Sequence, residues 1–136
     1  MLPVDAIETD KLEAGANSRN TVLSKEKSIT EGWLGVDIGR ETMSLYKAEI
    51  AKAKTILWNG PMGVFEIPDF ADGTKQLAEA LAKSDAKTIV GGGDSVTAVK
   101  QFGLADKMTF LSTGGGASLA LLEGKDLPGV AALTDK

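Results

Sequence analysis

From about Glu41 onward the sequence alternates between helical and strand patterns, and this alternation limits the possible folds more than any other feature. Met43, Tyr46 and Ile50 recur at helical spacing, which predicts an amphipathic helix. The short apolar run TILW, residues 55–58, follows this helix and is typical of a buried strand. The chain therefore begins a helix–strand series here.

The same order is repeated further along the chain. Helical spacing over residues 74–81 precedes the strand KTIVG, residues 87–91, and helical spacing over residues 96–102 precedes the strand MTFLS, residues 108–112. A fourth helix is expected to begin within the glycines that follow. Helices that alternate with continuous apolar strands indicate a parallel sheet covered by helices. We therefore predict the α/β class, with a partial parallel sheet and helices on both faces.

The first forty residues have a different pattern. LPVDAIETDKL and NTVLSKEKSI show some apolar alternation and are separated by the turn-prone EAGANSR, which predicts a small antiparallel excursion at the N-terminus. LPVD, residues 2–5, reads as the end of a parallel strand that closes on the turn-favouring Asp5. Because no element precedes this stub, we expect the chain to be part of something longer, folded as a single unit over residues 1–136.

Composition excludes several classes of function. The net charge of −4 argues against a general binder of nucleic acid or anionic membranes. The chain has no cysteine and no histidine, so disulfides, thiolate metal sites and imidazole catalysis are all excluded. No apolar run approaches the roughly 20 residues of a membrane span, and the first residues are acidic. A cytoplasmic setting is expected.

Each predicted parallel strand ends at an unusual loop: WNGPMGVFE, GGGDS and STGGGAS. Ligands of open parallel sheets bind beyond the carboxyl ends of the strands, and a glycine-rich turn into a helix N-terminus suits a phosphate. The alternative is that these glycines only permit tight turns. No Walker lysine and no GxGxxG pattern is present, which disfavours a simple P-loop ATPase or a dinucleotide-dependent dehydrogenase.

Side chains in these loops each have two interpretations. Asp94 could cap the following helix or hold Mg²⁺, and Ser95 could cap it or bind phosphate oxygens. Glu66 could bind ribose hydroxyls or be a solvated acid. Trp58 is interpreted as core packing in preference to a base-stacking platform, and Asn59 as a turn residue.

LPVD, GWLGVDIG, WNGPMGVFE, GGGDS and STGGGASLALLEGKDLPGVAAL together closely resemble the carboxyl-terminal part of phosphoglycerate kinase. The motifs occur in order from Leu2 to Leu133. The resemblance implies the Rossmann-like, nucleotide-binding lobe of a two-lobed enzyme. It also implies a glycolytic reaction in which 1,3-bisphosphoglycerate gives its acyl phosphate to MgADP, with Mg²⁺ and ATP or ADP as cofactors.

The resemblance implies roles for individual positions. The nucleotide-binding residues that it implies are Gly35 at the adenine, Asn59 near the phosphates, Pro61 and Val64 at the nucleoside wall, and Glu66 at the ribose. The positions that match the family's GGGD-[TS] loop, whose aspartate is linked to magnesium, are Gly93, Asp94 and Ser95. The helix N-terminus that would face the migrating phosphoryl group, and so be catalytic, is formed by Gly114, Gly115 and Gly116.

The chain also departs from the family pattern. The resemblance implies that the second lobe and the first half of this lobe, with its catalytic lysine, lie outside these residues; Phe110 stands where the family commonly has histidine and Ala120 where it usually has glutamate. We therefore expect a fragment that is inactive alone and that pairs, through an exposed sheet edge, with the missing part of the enzyme or another copy. The alternatives are a weak MgATP- or MgADP-binding module and a structural, engineered folding fragment without a ligand.

Overall fold

A computed structural model of the chain describes residues 1–134, which form two three-stranded sheets and five α-helices. The antiparallel sheet has the order β2-β1-β3, and the parallel sheet has the order β4-β5-β6. The strands are β1 Asp5–Thr9, β2 Ser18–Val22, β3 Leu34–Ile38, β4 Thr55–Asn59, β5 Lys87–Gly91 and β6 Phe110–Ser112. The helices are α1 Arg40–Ile50, α2 Asp72–Ala82, α3 Gly93–Gln101, α4 Gly115–Leu122 and α5 Pro128–Ala131.

The predicted α/β class is confirmed, including a parallel sheet flanked by helices and an antiparallel segment at the N-terminus. Strand β6 is shorter than the predicted MTFLS run. Thr109 lies outside it because side chains replace the backbone ladder there: the Thr109 N–H donates to Thr88 Oγ1 at 3.0 Å, and the Thr88 N–H donates to Thr109 Oγ1 at 3.1 Å. Met108 is buried in the core instead of pairing in the sheet.

The interpretation of LPVD as the end of a parallel strand is wrong. Asp5 begins β1, which pairs antiparallel with both β2 and β3. Its buried carboxylate accepts the N–H of Glu41 at 3.1 Å and that of Thr42 at 2.8 Å. Asp5 thus accepts hydrogen bonds from amides in the first turn of α1. The sequence pattern indicated a turn residue at Asp5 and did not predict this long-range contact.

A second buried acid organises the antiparallel sheet. Glu8 accepts the N–H of Thr30 at 2.8 Å, the Thr30 hydroxyl at 2.7 Å and the Arg19 Nε–H at 2.7 Å. These hydrogen bonds, chiefly that of the Thr30 amide, lower the pKa of Glu8 to about 2 although burial opposes them. The Arg19 guanidinium also lies 4.1 Å from the centre of the Trp33 ring.

The main core lies between helices and one face of the parallel sheet. Trp58 and Val90 are aligned on adjacent strands and pack with Met43, Leu77 and side chains of α3. Alternation along the strands places Leu57, Ile89 and Phe110 on the opposite face, where the strand register aligns them in one row. Phe110 is 59% exposed in this row. Within residues 1–134, none of the helices combines the length and apolar character that membrane crossing requires.

Candidate functional site

The carboxyl ends of the three parallel strands meet at one edge of the sheet. Asn59 is in register with Gly91, and Gly91 is in register with Ser112. Helix α3 begins directly after β5, and α4 begins directly after β6, so both helix N-termini lie at this edge. Their backbone amides and positive dipole ends are suited to anionic oxygen atoms. We call this region the strand-end edge.

The glycines at the strand-end edge allow one backbone to lie against another. A Cβ atom built on Gly115 would lie 2.7 Å from the Cα and N atoms of Gly92 and 2.8 Å from Asn59 Oδ1. Gly92 has a φ of +93°, and its N–H donates to the Ser112 carbonyl at 2.9 Å. Two of the three loops therefore require glycine for close approach, beyond the needs of a turn.

Asp94 is exposed in the first turn of α3. Gly92 occupies the N-cap position, and no side-chain capping bond is found there among residues 1–134, so the capping interpretation of Asp94 finds no support. The same described residues hold no group of three acidic side chains that could form a complete metal site by themselves. A single free carboxylate fits Mg²⁺, which usually takes one or two carboxylates together with phosphate oxygens and water.

Ser95 lies immediately behind Asp94 but is fully buried. Its hydroxyl oxygen accepts the N–H of Gly60 at 2.7 Å. Ser95 therefore joins α3 to the segment 59–64, which begins at the last residue of β4. Asn59 also lies at this junction, because its Oδ1 would be 2.8 Å from a Cβ atom built on Gly92 and 2.8 Å from one built on Gly115. It does more than turn the chain.

Residues 61–64 of this segment also form one wall of a cavity of about 460 Å³. Three of the predicted site residues, Gly35, Pro61 and Val64, line this cavity together. Its other walls include Val36, Asp37, Ile38, Met62, Gly63, Pro3, Ala6, Leu23 and Ile29. This volume and the mostly apolar lining are within the range of small-molecule sites. Glu66 is exposed beyond the buried Phe65 and does not line the cavity.

A family model described as phosphoglycerate kinase matches residues 1–125. The chain belongs to the phosphoglycerate kinase family. Phosphoglycerate kinases of Clostridium tetani and Pseudothermotoga lettingae are 54% and 52% identical to it over all 136 residues. The matched region is 33% and 34% of those relatives, so the chain spans about a third of their length.

Solved phosphoglycerate kinases have the same arrangement of elements. The structure from Coxiella burnetii matches 96% of this chain with a TM-score of 0.86 and 45% identity, and the match is 33% of that chain. The structure from Pyrococcus horikoshii OT3 also matches 96%, with a TM-score of 0.80 and 36% identity, and the match is 31% of that chain. The resemblance found in the sequence is therefore confirmed along with the fold.

The phosphoglycerate kinase fold places one further polar group at the cavity, Asp37, which the sequence analysis did not select. It is buried, and its carboxylate accepts the N–H of Gly73 at 2.7 Å and the N–H of Ile38 at 2.8 Å. Burial raises the pKa of Asp37 to about 6, and the nearby charge of Asp72 contributes to the increase. One sequence feature could have pointed to Asp37: in GVDIG it is an acid within an otherwise apolar strand, between two glycines.

Proposed function

We propose that this chain supplies the nucleotide-binding surface of a phosphoglycerate kinase, at which MgADP accepts a phosphoryl group from 1,3-bisphosphoglycerate. The observation that carries the proposal is the continuity of two surfaces. Segment 59–64 runs from the strand-end edge, where two helix N-termini meet, to the apolar cavity. A nucleotide has the same two parts, an anionic phosphate chain and a largely apolar base.

The phosphate end of the proposed site has the groups that phosphoryl transfer needs. In the reaction the bond between phosphorus and the acyl oxygen breaks, and a bond forms between phosphorus and a terminal β-phosphate oxygen of ADP. This transfer requires mainly positioning and charge stabilisation. The backbone at Gly93 and at Gly114, Gly115 and Gly116 would face the phosphate oxygens, and Asp94 would hold Mg²⁺, which neutralises phosphate charge when bound.

The nucleoside end of the proposed site is the cavity. Gly35, Pro61 and Val64 line it, and their arrangement supports their assignment to the adenine and nucleoside wall. Glu66 would reach the ribose hydroxyls from the exposed end of the same segment. Asn59 and Ser95 would hold the segment against the phosphate end, through the contacts with Gly92 and Gly60.

We further propose that catalysis requires the remainder of a phosphoglycerate kinase as partner, in a cytoplasmic setting, and that residues 1–136 act as a single inactive unit without it. The row Leu57–Ile89–Phe110, in which Leu57 and Ile89 are half-buried and Phe110 is exposed, and the exposed leucines of α4 support this proposal. An apolar helix is normally buried, yet Leu121 is 62% and Leu122 is 69% exposed. β4 and β6 are also the two edges of the parallel sheet.

Isothermal titration of MgADP into the chain tests the nucleotide proposal. We expect weak binding that needs Mg²⁺ and that falls in the Asp94→Ala variant. Asp85→Ala is the matched control, since this exposed aspartate precedes β5 at the other end of the strand. Absence of heat at millimolar MgADP would favour a fragment without a ligand, and equal loss in both variants would contradict the role of Asp94.

A complementation assay tests the partner proposal. The chain is mixed with the remaining residues of a phosphoglycerate kinase relative, and activity is expected only in the mixture. Phe110→Lys, which places a charge at the exposed end of the row Leu57–Ile89–Phe110, should weaken complementation, whereas Lys107→Ala should not. Solution mass of the chain alone distinguishes a second copy from the missing part as the partner.

A further inference from the structure

We propose that Asp37 is a positioning residue for the nucleoside cavity, acting through the first turn of α2 on the segment 59–64. This inference rests on the proposed nucleotide function and extends it to residues that the resemblance did not assign. It concerns the wall of the cavity, not the phosphate end.

The first step of this connection joins β3 to α2. Asp37 is 6% exposed, and its Oδ2 accepts the Gly73 N–H at 2.7 Å. Gly73 belongs to the first turn of α2, where amides lack partners within the helix. A Cβ atom on Gly73 would collide with the Asp37 carboxylate, so the glycine permits this contact. Asp37 therefore sets the position of α2 relative to β3.

The second step joins α2 to the cavity wall. Thr74 follows Gly73 directly, is fully buried, and its Oγ1 accepts the N–H groups of Met62 and Gly63, each at 3.1 Å. Both of these residues line the cavity. Movement of the Gly73–Thr74 turn would therefore move the wall.

The third step returns from the wall to β3. The Val64 N–H donates to the Val36 carbonyl at 2.9 Å. A Cβ atom on Gly63 would lie 2.5 Å from Asp37 Cγ and 2.6 Å from the Val36 carbonyl oxygen. The segment therefore rests directly on the Asp37 carboxylate, and any reorientation of that carboxylate changes the space available in the cavity.

The ionisation state of Asp37 provides a way to test this positioning role by changing the pH. The ionised carboxylate accepts both amide protons, whereas the protonated form has one oxygen occupied by its own proton. Asp72 on α2 is the neighbouring acid whose charge acts on Asp37, and Arg40 of α1 lies beside Asp72 in a separate groove. Two other parts of the chain lie next to Asp37: segment 59–64 and residues Ala6–Ile7 of β1, which pair with β3. Neither carries a titratable side chain.

Binding of two separate ligands tests the proposal in the full chain. Adenosine probes the cavity and tripolyphosphate with Mg²⁺ probes the strand-end edge. In Asp37→Asn and Thr74→Val we expect adenosine affinity to fall roughly tenfold, the loss of about one hydrogen bond, with tripolyphosphate affinity unchanged. Adenosine affinity of the wild type should fall as the pH decreases through about 6, and that of Asp37→Asn should not. Thr74→Ser, which keeps the hydroxyl, is the control and should leave adenosine affinity unchanged. Asp72→Asn removes the charge that contributes to the raised pKa of Asp37, so it should lower the pH at which adenosine affinity falls.

The outcomes separate this inference from the proposed function. The positioning role would be overturned if Asp37→Asn bound adenosine with the affinity of the wild type. It would also be overturned if Asp37→Asn lost affinity for adenosine and for tripolyphosphate to the same extent. Binding of tripolyphosphate without adenosine would also overturn it. If the wild type binds neither ligand, the proposed function fails, and amide hydrogen exchange decides the role: faster exchange confined to Met62 and Gly63 in Asp37→Asn supports it, and unchanged exchange contradicts it.

Discussion

The backbone of Gly115 packs on the backbone of Gly92, so closely that a Cβ on Gly115 would lie 2.7 Å from the Gly92 Cα. Gly115→Ala should therefore push α4 away from the turn between β5 and α3. We expect the free energy of unfolding to fall by about 1–3 kcal/mol, as for other overpacked sites, in urea titration.

Gly116→Ala is the matched control for that substitution. Gly116 is also in the first turn of α4, but no described atom outside the local chain lies within 4 Å of a Cβ built there. Because alanine favours helix more than glycine does, Gly116→Ala should be neutral or stabilise by up to about 1 kcal/mol. Equal destabilisation by the two substitutions would contradict the close contact.

The Ser95 hydroxyl should contribute to stability as well as to the site. Ser95→Ala leaves the Gly60 N–H without its acceptor in a half-buried position, which should cost about 1–3 kcal/mol in thermal or urea unfolding. Asp94→Ala changes the neighbouring exposed side chain and should leave stability within about 0.5 kcal/mol. An unchanged unfolding midpoint for Ser95→Ala would show that water replaces the hydroxyl.

Asp37 should make the folded chain less stable as the pH rises from about 4 to about 6. Its pKa of about 6 exceeds its ordinary value of 3.8, so within this window the folded state binds more protons than the unfolded state. The stabilisation is present below the ordinary value and is lost as the pH rises through the folded value. Urea titrations at several pH values should show this slope in the wild type and a flatter profile in Asp37→Asn.

Glu8 should have the opposite effect at lower pH. Its pKa is lowered from 4.5 to about 2, so its stabilising contribution is complete above about pH 4.5 and is lost as the pH falls towards 2. Glu8→Gln should therefore destabilise the chain at pH 6 much more than at pH 2. Glu13→Gln is the control, because Glu13 is exposed and pairs with the exposed Lys11.

The sequence predicted those parts of the fold that depend on local periodicity. Residues such as Met43, Leu77 and Val99 recur at helical spacing, and all three lie in the main core of the structure. The glycine loops were also placed correctly at one sheet edge, because parallel strands share the direction of their carboxyl ends. These inferences needed no knowledge of contacts between distant residues.

The sequence did not predict the functions of the buried acids. Asp5 and Thr42 are 37 residues apart, and Asp37 and Gly73 are 36 residues apart, so neither hydrogen bond is visible in a local pattern. LPVD was misread for the same reason, since a short apolar run beside an aspartate can precede a strand or end one. Asn59 is a residue type typical of turns, and only the fold brings its side chain close to Gly115.

The order β4-β5-β6 in the parallel sheet is also the order of synthesis. Each of these strands docks beside the strand made just before it, and one helix lies between them in the chain. The unit can therefore assemble by successive addition, without waiting for a late segment to insert between two earlier strands. Folding on the ribosome should accordingly proceed in steps, and a nascent chain that has emerged only as far as Gly91 should already hold β4 and β5 as a pair.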